Sequence, residues 1–116
     1  MKPQKPFYVI VHVPFLQFAA VALFPFILIK EKNFATNRYL INHELIHFRQ
    51  QIELLILPFY LLYGLFFLYN WLVYWDSQRA YYEICFEREA YQNEDNLNYL
   101  QTRPLWAWIK YLRKQP

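Results

Sequence analysis

Asn42-His43-Glu44-Leu45-Ile46-His47-Phe48-Arg49-Gln50-Gln51 is the stretch on which the reading of this chain turns. It holds His-Glu-x-x-His inside an unbroken helical pattern. On an α-helix, residues four apart stand one above the other, with Cβ atoms about 5–6 Å apart. His43 and His47 can therefore aim both imidazoles at one point and hold a single zinc ion. Glu44, one step round from His43, can reach a water at that point without becoming a ligand. It would take the water's proton as general base and hand it to a leaving amine. Zinc supplies the other half by bringing the pKa of a bound water to about 7.

The helix extends in both directions from this stretch. Thr36 or Asn37 suits its N-cap, and the pattern runs to about Leu57, where Pro58 ends or kinks it. Ile41, Leu45, Phe48, Ile52 and Leu55 follow the spacing of a buried face. The two histidines stand to one side of that stripe, where a second helix can complete a site.

Upstream, residues 1–6 are polar, carry two prolines and read as a frayed tail. Lys2, Lys5, an apolar run and Ala20-Val21-Ala22 have the outline of a signal peptide, but His12, Pro14 and Gln17 interrupt its core. His12 is a possible extra metal ligand, or a hydrogen-bonded histidine without one. Ala19 to Lys30 reads as a strand that Pro25 confines to an edge or a bulge. Its alternatives are a short buried segment or part of a membrane helix. An edge strand beside a zinc helix would accept an extended peptide as a further strand.

Downstream, Leu54 to Trp75 is uncharged and long enough to span a bilayer. Phe59, Tyr60, Tyr74 and Trp75 lie near its ends, as interfacial aromatics do. Asp76-Ser77 reads as a turn and N-cap, followed by a helix over Gln78–Asn93 that the polar run to Asn98 ends. Pro104 can open a last helix, Leu105 to Lys114. Its Trp106, Trp108, Lys110, Arg113 and Lys114 suit either a membrane interface or a cap on the core.

Two histidines need a third protein ligand, with one position left for water. The acidic residues after the motif are Glu53, Asp76, Glu83, Glu87, Glu89, Glu94 and Asp95. Glu83, Glu87, Tyr91 and Glu94 recur at helical spacing, and Ala90 beside them permits close helix approach. Glu87 is the preferred ligand and Glu83 the next.

His43-Glu44-Leu45-Ile46-His47 followed by Glu87-Arg88-Glu89-Ala90-Tyr91 resembles the gluzincin metallopeptidases. The likeness is greatest to the CAAX-prenyl-protease-like membrane branch, which pairs HExxH with E-x-x-A-D on a later helix. The chain is also similar to small, uncharacterised bacterial membrane-associated proteins with NHE-x-IH-x-RQQ and FEREAY. The first resemblance implies zinc on His43, His47 and Glu87, with Glu44 as catalytic base. Where that family has an aspartate orienting a ligand histidine, this chain has Tyr91. Tyr91 or Glu83 is then the candidate to orient that histidine or to support the transition state.

Geometry sets a condition on this site. A straight helix through Leu54–Trp75 would carry Trp75 about 42 Å beyond His47, whereas Glu87 lies only about 18 Å back along a returning helix. The apolar segment must therefore bend, at Pro58 or Gly64, for Gln78–Asn93 to pack beside the motif.

Composition narrows the function. Of 116 residues, 57% are hydrophobic and 22% aromatic, more aromatic surface than one small domain can bury, which points to a membrane–water interface. The net charge of +3 comes without a basic run, which favours anionic lipid over nucleic acid. Cys85 is alone, so no intrachain disulfide forms. The expected fold is a single domain, 1–116, mainly α and zincin-like: the HExxH helix packed on a Glu-bearing helix, with a short N-terminal β segment and a bent apolar helix. The expected function is a membrane-associated zinc metallopeptidase acting on a peptide or protein. The alternative is a non-catalytic membrane or interaction protein retaining a zinc site or its relic.

Overall fold

Asn37 starts the central helix, α1 (Arg38–Glu53), its side-chain oxygen accepting from the backbone N–H groups of Tyr39 and Leu40. A computed structural model of the chain describes residues 7–113. The expected tail at 1–6, with Lys2 and Lys5, and Lys114 of the expected last helix lie outside the described residues. The molecule is mainly helical, with a small three-stranded sheet.

The sheet covers one side of α1. Its strands are β1 (Val9–His12), β2 (Ala20–Leu23) and β3 (Phe26–Ile29), in the order β1-β3-β2. β3 runs parallel to β1 and antiparallel to β2, so the single strand expected over Ala19–Lys30 is a hairpin. It folds at Phe24-Pro25, and proline sits in the turn, where it removes no ladder hydrogen bond. Ala22, Ile27 and Ile29 pack against Ile41, Leu45 and Phe48 of α1. The stretch with the interrupted outline of a signal peptide contributes β1, and Ala22 is buried in the core against α1.

α4 (Cys85–Asn93) packs on another side of α1, with Ile46 against Ala90 and Tyr99. Enclosed in this way, α1 is buried from Ile41 to Gln51 except at Arg49. The expected apolar stripe holds only to Phe48, because Ile52 and Leu55 emerge into solvent. Polar residues of the motif take up the remaining buried positions, and each hydrogen-bonding group among them needs a partner inside the protein.

The bend falls just ahead of Pro58. α1 stops at Glu53, and Leu55 and Ile56 both adopt positive φ, of 60° and 68°. The chain reverses there into α2 (Leu57–Tyr74), whose first turn accommodates Pro58 without losing a helical hydrogen bond. α2 then runs unbroken through Gly64.

The helix expected over Gln78–Asn93 is two helices, α3 (Ser77–Tyr82) and α4. Asp76 caps α3, accepting from the N–H groups of Gln78 and Arg79. Between the two helices Ile84 is extended, at ψ 133°, and its fully buried side chain fills the core with Phe59 and Phe86. No glycine or proline marks this break; side-chain burial overrides the local helical pattern. After the polar run comes a short helix, α5 (Tyr99–Thr102), and the expected last helix is a 3-10 segment, Ala107–Leu112. Trp108 and Tyr111 of that segment turn inward to complete the Phe59–Phe86 cluster, while Trp106 stays exposed.

Candidate metal centre

α1 and α4 meet so that His43, His47 and Glu87 face one another. His43 Nε2 lies 3.0 Å and His47 Nε2 3.1 Å from the same Glu87 oxygen, Oε1. One ligand atom from each residue lies within 4.8 Å of the others, and all three residues are buried. Donors 2.0–2.1 Å from a tetrahedral zinc stand about 3.3 Å apart, so the spacing fits an ion of that size.

Hydrogen bonds fix the orientation of both imidazoles. The Gln50 amide group donates to Phe86 O and to Glu89 Oε1, so its oxygen must face His47 Nδ1, 2.8 Å away. An acceptor there requires Nδ1 to carry the hydrogen, which leaves the Nε2 lone pair for a metal. Glu94 Oε1 does the same for His43, lying 2.9 Å from its Nδ1. Asn42 places that carboxylate, since its amide donates to the carbonyls of Glu94 and Asn96 at 2.8 and 3.0 Å. Two lone pairs aimed at a carboxylate oxygen repel it unless a proton or a metal ion lies between them, and in the metal-free protein the raised pKa of His47 supplies a proton. The position that a proton takes in the metal-free protein is the one a metal ion would occupy, and both imidazoles are already oriented toward it.

Glu87 divides its oxygens between two tasks. Oε1 faces the histidines, and Oε2 accepts from the Tyr63 hydroxyl of α2 at 2.6 Å. Burial works against its charge, but His47 and His43 more than offset this and hold the carboxyl far below the ordinary range. The His47 ring moves the other way. Burial opposes its protonation, yet the charge and hydrogen bond of Glu87 raise its pKa to about 9. Glu44 is buried, and its carboxylate makes no hydrogen bond among the described residues. Burial pushes its carboxyl above the usual range, while the two histidines pull it back.

Glu44 also faces open space. A cleft of about 670 Å³ is lined by His43, Glu44, Tyr63, Tyr81 and Glu94, and a smaller one of about 190 Å³ by His47, Glu44, Phe59 and Glu87. Ala20 of β2 lines both. Lys30 N–H donates to Ala19 O, so in the antiparallel register Val21 faces β3 and Ala20 and Ala22 turn their backbone groups outward. Gln51 ties down the far end of this edge, accepting from Phe24 N–H and donating to Ala22 O.

The other sequence candidates fall elsewhere. Glu83, expected as the next ligand or as an orienting group, is bound by Arg88 beyond the helix break. Tyr91 packs its ring on His43, with centroids 4.5 Å apart, but its hydroxyl pairs with Tyr81. Glu53 and Glu89 are buried together around Arg103, Asp76 caps α3, and His12 is exposed at the end of β1. Sequence reading named Glu94 only as a possible ligand, and it missed Gln50 and Tyr63 as supports. Gln50 and Gln51 carried no signal in the sequence, because the single apolar stripe left a solvent face on which two amides would be ordinary.

Replacing Glu94 with Gln should weaken zinc binding about 10–100-fold, the usual effect of losing the group that orients a ligand histidine. Tyr91→Phe should leave it unchanged, because only the ring touches His43. Competition against a chelating dye measures both.

No family profile matches this chain, and neither curated proteins nor solved structures yield a match.

Proposed function

We propose that this chain is a membrane-associated zinc metallopeptidase. The observation that carries the reading is the setting of both motif histidines. Each has its Nδ1 hydrogen taken by a dedicated acceptor, so each offers Nε2 toward Glu87, beside a Glu44 carboxylate that opens on a cleft.

His43, His47 and Glu87 would hold the ion, and its chemistry when bound is to acidify water and polarise a carbonyl. Glu44 is free to accept the proton of an attacking water and return it to the departing amine nitrogen. A peptide laid along β2 would meet the outward N–H and C=O of Ala20 and the N–H of Ala22, beside the metal. Gln51 and the Tyr60 hydroxyl hold Ala22 O, which keeps this edge at a fixed distance from α1.

The apolar surface supports membrane association. α2 is long and apolar enough to cross a bilayer, and of its residues only Phe59 is buried. The same surface suits the alternative of a zinc-holding interaction protein without hydrolysis.

Purified, metal-stripped protein should take up one zinc per chain. Only the reloaded form should cleave an unbiased peptide library, as read by mass spectrometry. Zinc uptake without cleavage would favour the alternative, and no uptake would remove both readings.

A further inference from the structure

The two long sides of α2 differ. Along the inner side, Phe59, Leu62 and Phe66 join the cluster around Ile84 and Phe86, and Tyr63 reaches Glu87. Farther on, Asn70 donates to Ala80 O of α3. The protein body therefore accompanies α2 along most of its length. On the outer side, Leu57, Leu61, Leu65, Leu68 and Leu72 recur every three or four residues, each between 51 and 77% exposed. This apolar surface continues beyond the helix onto Leu55, and Trp75 stands at the far end.

We infer that α2 lies in the plane of a membrane surface, its leucine stripe in the outer acyl region, and does not cross the bilayer. The inference rests on the membrane association proposed above. An upright α2, about 27 Å long at 1.5 Å per residue, would nearly match the hydrocarbon thickness. It would, however, take the body of the protein with it. Phe66 is at the middle of the helix, and its ring lies 5.8 Å from that of Phe86. Glu87 follows directly, and the Glu83–Arg88 ion pair flanks it. Crossing would thus bring the metal-binding carboxylate and a partly exposed ion pair to the centre of the bilayer, where charge is most costly. Lying flat buries the leucine stripe and keeps Glu87 and the Glu83–Arg88 pair, which lie toward the inner side of the helix, out of the hydrocarbon. Trp71 and Trp75, with Arg79 stacked on Tyr74 at the same end of the helix, supply aromatic and basic groups suited to headgroup level and to anionic lipid.

A second copy of the chain fits this face less well. Interfaces between soluble proteins carry a polar rim. Here the stripe is bordered by Gly64, Tyr69 and Val73 and runs on to Leu55, with no charged residue inside α2 to set a register.

The test uses the full chain carrying Arg49→Cys and Gln78→Cys, both exposed positions, one before and one after α2. The protein is reconstituted by detergent removal into vesicles of phosphatidylcholine and phosphatidylglycerol, treated with a membrane-impermeant maleimide and weighed intact. The parent chain, with Cys85 buried, is the control. An in-plane helix leaves both cysteines on one side, so each molecule gains two labels or none. A crossing helix gives one label per molecule, which overturns the inference while membrane association stands. Failure to float with the vesicles, with a detergent-free dimer in its place, overturns both. Leu61→Glu with Leu65→Glu should lower vesicle partitioning on the order of tenfold or more. Its zinc content should stay at one per chain, because neither leucine touches the site.

Discussion

Glu44→Gln should leave zinc content and affinity within about twofold of wild type while lowering peptide hydrolysis about 10²–10⁴-fold, the usual contribution of a positioned general base. Glutamine keeps the volume and polarity of the buried side chain and cannot accept a proton. The ligand atoms belong to His43, His47 and Glu87, and Glu44 bonds to none of them. Residual activity near wild type would remove Glu44 from the reaction. Parallel loss of zinc and activity would mean that its charge serves the metal and not the water.

The second large effect concerns His47 and Glu87 in metal-stripped protein. The His47 pKa is raised from 6.5 to about 9, so its contribution to stability is fully present below pH 6.5 and lost as pH rises through 9. With both side chains almost wholly buried, that contribution is on the order of 3 kcal/mol. Urea unfolding of the stripped protein should therefore show a falling midpoint between pH 6.5 and 9. Zinc should reverse the trend, because the ion takes the place of the proton on His47. Its affinity should rise by up to about tenfold per pH unit across that window, as one proton is displaced. Glu87→Gln removes the charge that holds the proton and one of the ligands, so both the pH slope and stoichiometric zinc should disappear. A slope that survives in Glu87→Gln would place the responsible proton elsewhere.

The motif is unusual in how much of it is structural support for its own chemistry. Gln50 sets the His47 tautomer, and its other bonds run through Glu89 to Tyr99 and Arg103, which in turn binds Glu53 at the end of α1. The C-terminal segment is thereby fastened to the helix that carries the histidines. In this network one guanidinium serves two carboxylates, and removing Arg103 would leave both without their countercharge in a low-dielectric interior.

Sequence alone determined what depends on local spacing. The four-residue interval put His43 and His47 on one side of a helix, Asn37 and Asp76 marked helix starts, and the uncharged run through Trp75 marked a helix with no charge to expose. The need for a bend also followed from arithmetic on helix rise. Tertiary structure decided what depends on contacts between distant residues. The turn at Leu55 and Ile56, the hairpin at Pro25 and the break at Ile84 each place side chains in a core that no local pattern describes. The Ile84 break frees Glu87 from the helical phase of Glu83, so one carboxylate faces the histidines while the other turns to Arg88. Glu94 reaches His43 across 51 positions of sequence because Asn42 anchors the loop that carries it. Spacing within one helix is set by its backbone hydrogen bonds and can be read from the letters. The meeting of α1, α2 and α4 is set by burial of Phe59, Ile84 and Phe86, and exists only once the chain has folded.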